Sequence, residues 1–455
     1  MKSLILQPAG LGNRQRIYAA SAVAWLLLPL RVLVAAPVAL FLVALTAMLL
    51  RPPDVSFCEV DRVAFGLLIL GVAGRAMILR RKLFVWERAS WPMLGLILLA
   101  AGSVARQPYD NESWSLIAAK FIVPFALFHI AMLVFREEGP LRKFEAFALV
   151  VLAYLSFTSI AFLLGAKDLI FPPFILDASL GNHADRARGP FLQSVANGVS
   201  LNLLGLLALH SFHRGRIRGL KAALLLASVP LAILATLTRA VWLAFAGTIF
   251  MMIVRPPSRA FRRACVGLVF IGVVASGVVL SSPGLRRSFT ERLEERGPVE
   301  FRAAVYAASW HMFLERPLAG WGVNQMPSEL ARHVSGYKQP VLYPHNTYLE
   351  LLLEHGIAGL AFYAWLMWEL WRLGTGKVPT SEQSGFLNQS FSRLWFVLLA
   401  VYWINASLVV MNYQFVNALL FSMAGMLAAQ RRRGATPRGR GVDIACKATW
   451  FESRA

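Results

Sequence analysis

The chain has 455 residues, of which 57% are hydrophobic and only 15% are charged, whereas soluble proteins carry about 25% charged residues. Apolar runs of roughly 17–25 residues recur along most of the sequence, which excludes an ordinary soluble protein and predicts an all-α, polytopic membrane protein. Because hydrocarbon offers no hydrogen-bond partners, these runs are predicted to be helices.

The net charge of +22 could indicate nucleic-acid binding, but the distribution of the charge argues against it. Basic residues cluster in every second short loop, at Arg80–Lys82, Arg142–Lys143, His213–Lys221, Arg255–Arg263 and Arg431–Arg433. This alternation follows the positive-inside rule and places these loops in the cytoplasm. The sequence therefore predicts contact with membrane lipids and no nucleic-acid partner.

About twelve transmembrane helices are predicted in chain order. The first segment contains Pro29, Arg31 and Pro37 and is long enough for a hairpin, which would add one span and place the N-terminus outside. Arg14 and Arg16 favour a single crossing and cytoplasmic termini. The predicted spans are one crossing within 17–50, then 62–79, 89–105, 114–135, 144–165, 190–210, 220–235, 239–254, 263–281, 347–371, 394–410 and 413–430.

The spans divide the chain into four segments. Transmembrane helices occupy 1–281, a large loop on the face opposite the basic loops occupies 282–346, further transmembrane helices occupy 347–430, and a basic cytoplasmic tail occupies 431–455. The large loop is too long for a simple connector. Its helical pattern from Phe301 to Leu314 predicts a small, partly helical cap. The sequence shows no internal repeat, which disfavours a secondary transporter.

The sequence lacks the common nucleotide-binding and metal-binding motifs, such as a P-loop, GxGxxG, HExxH or DxD. Its three cysteines, Cys58, Cys265 and Cys446, are far apart and predict neither a disulfide framework nor a zinc site. Acidic residues are scarce in the predicted spans, which disfavours an ion-coupled carrier. We therefore predict a reaction without a metal or cofactor.

Arginines at the predicted outer face contradict the positive-inside rule. Arg186 and Arg188 precede one span, Arg239 begins another, and Arg302 lies on the predicted helix of the cap. Guanidinium groups match phosphate geometry and remain charged at physiological pH, so these arginines predict a shared anion site. Lys120, near the outer end of its span, is a further candidate. The alternative is that these side chains extend to the interface or pair with a carboxylate.

A polar turn precedes the tenth predicted span, at Tyr343-Pro344-His345-Asn346-Thr347. Asn346 and Thr347 can cap the helix that follows, and Asn346 is a further candidate for substrate contact. The helix N-terminus and nearby arginines are expected to keep His345 neutral, so that it can act as a general base. The alternative is that His345 only shapes the turn.

Aromatic and glycine residues flank this turn. Trp310, Trp321 and Tyr343 can stack on a sugar or form an interfacial aromatic belt. Gly356 and Gly359 form a GxxG step that is predicted to allow close helix approach.

Four stretches together resemble the superfamily of O-antigen ligases and O-antigen polymerases of bacterial envelopes. They are "RGPF…AN" around Arg188, "LTRAVWLA" around Arg239, "R…W…F…RPLAGWG" from Arg302 to Gly322, and "PHNTYLELLLEHGIAGL" from Pro344. The resemblance spans residues 180–365. In this family a Ser-Arg pair is frequent where this chain has Thr238-Arg239.

The resemblance implies about twelve helices, a large periplasmic loop, and metal-independent, inverting transfer of a glycan from undecaprenyl pyrophosphate to a hydroxyl group. It implies that His345 is the base and that Arg188, Arg239 and Arg302 bind the pyrophosphate, with Arg186 as the alternative to Arg188. Such a reaction needs charge stabilisation on the leaving group and removal of a proton from the acceptor.

The acceptor is the least readable part of the sequence. Lipid A–core oligosaccharide would define a ligase, another repeat unit a polymerase, and a protein side chain an O-oligosaccharyltransferase. The single large loop and the chain length favour the ligase. The resemblance implies a protein of the bacterial inner membrane with its active site facing the periplasm, and we expect a monomer. The non-enzymatic alternative is a flippase for lipid-linked oligosaccharides, which would line a central cavity with charges and would not need a loop histidine.

Overall fold

The computed structural model describes residues 33–51, 60–106, 108–181, 183–281, 297–336, 340–376 and 385–435, together with positions 283, 286, 287 and 290. These residues form helices, turns and loops, and this part of the chain contains no strand. The all-α prediction is therefore confirmed. The choice between one span and a hairpin within 17–50 falls largely on residues 1–32, and most of the predicted basic tail lies beyond 435; both lie outside the described residues.

The helices overlap the predicted spans throughout the described ranges. Ala118–Ile122 forms a π-helical turn within the helix Asn111–Val134. The helices are α1 (Pro37–Leu49), α2 (Val60–Ile78), α3 (Ser90–Ala105), α4 (Asn111–Val134), α5 (Glu138–Leu163), α6 (Ser194–His213), α7 (Gly219–Ala235), α8 (Arg239–Val254), α9 (Arg259–Ser281), α10 (Gly297–Glu315), α11 (Met326–His333), α12 (Thr347–Gly374), α13 (Gln389–Ala406) and α14 (Gln414–Ala435).

Several of these helices have the length and composition of membrane spans. Among the described residues, α4, α5, α6, α9 and α12 are long and apolar enough to cross a bilayer, and α1, α3, α7 and α8 are shorter apolar helices. The outward face of α9 exposes Val266, Phe270 and Val273, as expected for a surface in contact with lipid. The total of twelve crossings stays a prediction.

The core lies around α6 and between α4 and α14. α6 is buried along nearly its whole length and packs against α5, α7, α8 and α13. α14 lies along α4, where a Cβ atom on Gly425 would lie 2.1 Å from the carbonyl oxygen of Phe128. Glycine is therefore required for the close approach of these two helices.

Helix α12 is broken at Gly356, whose backbone has φ 63° and ψ −162°. The loop after α10 docks onto the break: Ile357 N–H donates to the carbonyl of Pro317 (2.8 Å), and the carbonyls of Leu353 and Glu354 accept from Trp321 and Gly322 (2.7 and 2.9 Å). The "RPLAGWG" motif is thus a backbone clamp on α12. The prediction that the GxxG step allows close helix approach is wrong for Gly356, because the backbone that lies against Gly356 belongs to this loop and not to another helix.

The cap predicted within 282–346 contains α10 and α11, so the helix expected from Phe301 to Leu314 is confirmed. Its small apolar core joins Val305 and Met312 of α10 to Leu330 of α11 and Leu353 of α12. The cap is therefore anchored on the N-terminal half of α12. This anchoring fixes Arg302, on α10, relative to the start of α12.

The interior also contains paired charges at Lys120, for which the sequence analysis gave pairing with a carboxylate as the alternative. Lys120 Nζ lies 3.0 Å from Glu350 Oε2 and 2.8 Å from Glu354 Oε2, and all three residues are buried. The expected scarcity of acidic residues in the spans is thus wrong for α12. Lys120 bridges both carboxylates, so the cluster ties α4 to α12 in the core.

Candidate active site

The turn before α12 is fixed by hydrogen bonds on both sides. Asn346 Oδ1 accepts from the N–H groups of Tyr348 and Leu349 (2.9 and 3.2 Å), which confirms the predicted helix cap. Asn346 Nδ2 and Thr347 Oγ1 donate to carbonyls of the loop between α13 and α14. His345 has φ 49°, a left-handed conformation that costs a non-glycine residue about 1–2 kcal/mol. Such strained residues are concentrated at functional sites.

His345 lines a cavity of about 770 Å³. The cavity lies between the cap, the starts of α8 and α12, and the loop before α6. Five of the residues predicted from the sequence line this cavity. They are Arg186, Arg239, Arg302, Tyr343 and His345. The tertiary fold thus brings together three arginines and a histidine that are separated by up to 159 positions along the chain, from 186 to 345.

Arg186 lies in the loop before α6, and this loop packs against α6 and against the end of α7. The N–H of Ala187 donates to the carbonyl of Ala235 (3.1 Å), and Asn197 Nδ2 donates to the carbonyl of Ala187 (2.9 Å). Arg186 Nε lies 3.7 Å from Asp185 Oδ2. Its guanidinium group is therefore a constrained part of the cavity wall.

Arg239 is the first residue of α8 and follows a tight turn. Leu237 has φ 47°, Thr238 Oγ1 donates to the carbonyl of Thr236 (2.8 Å), and the hydroxyls of Thr238 and Ser194 form a hydrogen bond (3.0 Å). A cation at a helix N-terminus is unfavourable by itself, because both the side chain and the helix dipole are positive there.

The electrostatic environment of His345 keeps its imidazole neutral. Burial by the surrounding atoms lowers the pKa of His345 below its usual value, and the positive charge of Arg302 and the neighbouring His183 lower it further. The ring packs edge-on against Phe301, with the ring centroids 5.9 Å apart. A neutral imidazole at the cavity wall can accept a proton near neutral pH.

Arg188 occupies a different position from Arg186. It is only 1% exposed, its Nε donates to the carbonyl of Ile175 (2.9 Å), and its terminal nitrogens donate to the carbonyls of Leu180 and Asp177. Arg188 does not line the cavity. Its contacts organise the loop before α6, so Arg186 is the better candidate for an anion ligand.

The remaining predicted residues also lie away from the cavity lining. Lys120 is paired with the carboxylates of α12, and Asn346 serves as a cap. Trp321 Nε1 donates to the carbonyl of Met312 (2.9 Å) and its ring lies beneath the guanidinium of Arg316. Trp310 is exposed on α10 beside Phe313. Of the three aromatic candidates, Tyr343 is the one at the cavity.

Several cavity residues were not singled out from the sequence, among them His183, Asn412 and Tyr413. His183 has φ 57° and lies in the same loop as Arg186, so its neighbourhood in sequence offered a signal. Asn412 and Tyr413 come from a short turn between two apolar helices, where no pattern marks them. Asn412 Nδ2 donates to Glu350 Oε1 (3.3 Å) and connects the cavity wall to the buried charge cluster.

Within the part of the chain that the structure describes, no three His, Cys, Asp or Glu side chains are close enough to hold a metal ion. The positive charge at the cavity comes from arginines and from the start of α8. The arrangement can bind an anion beside a proton acceptor, and apolar residues such as Val195, Val409 and Val410 form the rest of the wall.

These features describe a multi-helix protein with apolar spans and an arginine-lined cavity beside a histidine. Residues 222–364 match the family model described as O-Antigen ligase. This match confirms the resemblance to the O-antigen ligase superfamily and supports a glycosyltransferase-type enzyme of a bacterial membrane. The matched segment contains Arg239, Arg302 and His345, whereas Arg186 precedes it. A comparison with curated proteins found no match.

Proposed function

We propose that the protein is an O-antigen ligase that transfers a polysaccharide from undecaprenyl pyrophosphate to a hydroxyl group of lipid A–core oligosaccharide on the periplasmic face of the inner membrane. The observation that carries the proposal is that Arg186, Arg239 and Arg302 line one cavity with His345. The family match over 222–364 supports the same class of reaction.

In the proposed reaction, the acceptor hydroxyl attacks the anomeric carbon while the bond from that carbon to the pyrophosphate oxygen breaks. His345 takes the hydroxyl proton and becomes an imidazolium. The leaving undecaprenyl pyrophosphate gains negative charge, which Arg186, Arg239 and Arg302 stabilise by charge-assisted hydrogen bonds. Attack from the face opposite the leaving group inverts the anomeric configuration. Because the arginines neutralise the pyrophosphate, the reaction is metal-independent.

The cavity wall also suits the two other parts of the substrates. Val195, Leu237 and Val410 supply apolar surface beside the arginines, which is compatible with the first isoprene units of a lipid carrier. Tyr343 and Tyr413 supply aromatic surface for a sugar ring. The proposed ligase works as a monomer, with its donor and acceptor entering from the membrane.

The central experiment compares His345→Ala with His311→Ala in cells that make a lipid-linked glycan polymer. His311 is an exposed histidine of α10 outside the cavity lining, so its variant should behave like the wild type. His345→Ala should abolish glycan on lipid A–core, seen as a lost ladder on a lipopolysaccharide gel, while long undecaprenyl-linked polymer accumulates. Accumulation of single repeat units would indicate a polymerase instead. Unchanged ladders would refute the role of His345.

A second experiment separates Arg186 from Arg188. Arg186→Gln should weaken donor binding, measured as a raised KM for the lipid-linked donor, with an unchanged melting temperature. Arg188→Gln should lower the melting temperature, because several buried carbonyls lose their donor. Equal effects of both variants on KM and on stability would contradict the assignment. EDTA should leave transfer by the purified protein unchanged.

A further inference from the structure

A second cavity, of about 550 Å³, lies between α1, α2 and the turn that joins α4 to α5. Its wall is apolar, whereas its rim carries Arg75, Arg81, Lys82 and Arg136 against one lining carboxylate, Glu137. The apolar wall residues include Val38, Val72, Ala76, Leu79, Leu133 and Val134. A basic rim above an apolar wall matches the shape and polarity of an anionic phospholipid.

The basic side chains at this rim have few partners within the described residues. No ion pair of Arg81 or Lys82 occurs there, and Arg75 and Arg136 each donate one side-chain hydrogen bond, to the carbonyls of Val34 (3.3 Å) and Met132 (3.1 Å). Each guanidinium has five N–H donors. The rim therefore retains donors for an anionic ligand.

Further cations approach the same rim from the end of α14. Arg433 donates to the carbonyl of Arg136, and Arg432 pairs with Glu87. Burial lowers the pKa of Arg136, and repulsion by Arg81, Arg432 and Arg433 lowers it further. A bound phosphate would relieve this repulsion and form bidentate hydrogen bonds with arginine.

The second cavity lies at the opposite end of α14 from the cavity of His345. Asn412 and Tyr413 precede α14 and line the first cavity, whereas Arg433 in its last turn contacts Arg136. The 22 residues of α14 span about 33 Å at 1.5 Å per residue, close to the roughly 30 Å hydrocarbon thickness of a bilayer. The second cavity is thus at the level of the opposite leaflet's headgroups.

We propose that this second cavity binds one anionic phospholipid of the cytoplasmic leaflet, with its phosphate at Arg81, Lys82 and Arg136 and an acyl chain against the wall formed by α1, α2 and α4. Basic pockets between transmembrane helices on the cytoplasmic side recognise lipid headgroups in this way. The site is separate from the proposed glycan transfer and does not depend on it.

The test uses the purified full-length protein in neutral detergent, titrated with phosphatidylglycerol and, separately, with phosphatidylcholine of the same acyl chains or with sodium phosphate. Native mass spectrometry counts the bound lipid, and tryptophan fluorescence follows the melting temperature. We expect one tightly bound phosphatidylglycerol and a raised melting temperature. Phosphatidylcholine and free phosphate should have little effect. Equal binding of phosphatidylcholine, or equal protection by phosphate, would overturn the proposal.

Two variants and one control locate the site. The Arg81→Gln/Lys82→Gln/Arg136→Gln variant should bind phosphatidylglycerol at least about tenfold more weakly, since loss of one charge-assisted hydrogen bond already costs about that factor. The control replaces three exposed arginines at the start of α9 on the same side, as Arg259→Gln/Arg262→Gln/Arg263→Gln, and should keep wild-type affinity.

The second variant, Ala76→Phe, fills the apolar wall without changing any charge. It should also weaken phosphatidylglycerol binding, with its melting temperature in phosphatidylcholine serving as the reference for folding. Equal losses in the rim variant and the α9 control would indicate unspecific surface attraction. Undiminished binding in the rim variant or in Ala76→Phe would place the lipid elsewhere. Any of these results would refute the site.

Discussion

Replacing Gly356 with alanine perturbs the contact that holds the cap onto α12. A Cβ atom at position 356 would lie 2.3 Å from the carbonyl oxygen of Leu318 and 2.7 Å from that of Pro317. The backbone angles of Gly356, φ 63° and ψ −162°, belong to a region reserved for glycine, which costs other residues about 1–3 kcal/mol. Alanine therefore meets both backbone strain and a steric clash.

The clash also endangers the three hydrogen bonds between the "RPLAGWG" loop and α12, namely those donated by Ile357, Trp321 and Gly322. Each backbone hydrogen bond contributes about 1 kcal/mol. If the loop moves away and two of them break, strain and lost bonds together lower the free energy of unfolding by about 3–5 kcal/mol. Because the same loop follows the helix of Arg302, we expect glycan transfer to fall as well.

The measurement is unfolding of the purified protein in mixed micelles with a rising fraction of SDS, followed by tryptophan fluorescence. The control is Gly102→Ala in α3, where an added Cβ meets no atom within 4 Å. This control should be neutral or slightly stabilising, since alanine favours a helix interior by up to about 1 kcal/mol over glycine. If Gly356→Ala unfolds within about 1 kcal/mol of Gly102→Ala, the reasoning about the broken helix is refuted.

Three further predictions test the cluster, the base and the cap. Lys120→Met should destabilise the protein by about 3–5 kcal/mol, because it leaves buried carboxylates unpaired. Lys120→Met/Glu354→Gln should have a higher melting temperature than the single variant. A lower melting temperature of the double variant would contradict the pairing. Transfer should rise with pH as the imidazole of His345 loses its proton, at a pKa below that of an ordinary histidine because of burial and the charge of Arg302. Arg302→Gln removes a positive neighbour and raises that pKa, so the acidic limb of the pH–rate profile should move to higher pH; an unmoved limb would argue against His345 as the base. Asn346→Ala should lower the melting temperature, at a cost of at least about 1 kcal/mol, because it loses the helix cap and the hydrogen bond to the Ser407 carbonyl. Asn346→Asp keeps the cap but lacks the N–H donor, so it should recover only part of the wild-type stability.

The sequence predicted most of the helices in the described ranges, and five of the ten residues that it singled out as candidates line the cavity. Apolar runs predicted where helices lie, because a helix satisfies the backbone hydrogen bonds of a segment that is buried in hydrocarbon. Residues that break the charge rule, such as Arg186, Arg239 and Arg302, pointed to an anion site, since an outer-face cation has an energetic cost. The cap of α12 by Asn346 was also readable, because it depends on local backbone geometry alone.

Which polar residues face the cavity was decided by the tertiary structure. Arg188 and Arg186 are two positions apart in one loop, yet one guanidinium is enclosed by carbonyl groups and the other lines the cavity. The sequence offered Lys120 as a candidate anion ligand, whereas in the structure it pairs with Glu350 and Glu354 of α12. Composition and periodicity record the preference of each side chain for water or lipid. The partner that a charge finds depends on contacts between segments far apart in the chain, which a sequence pattern does not encode.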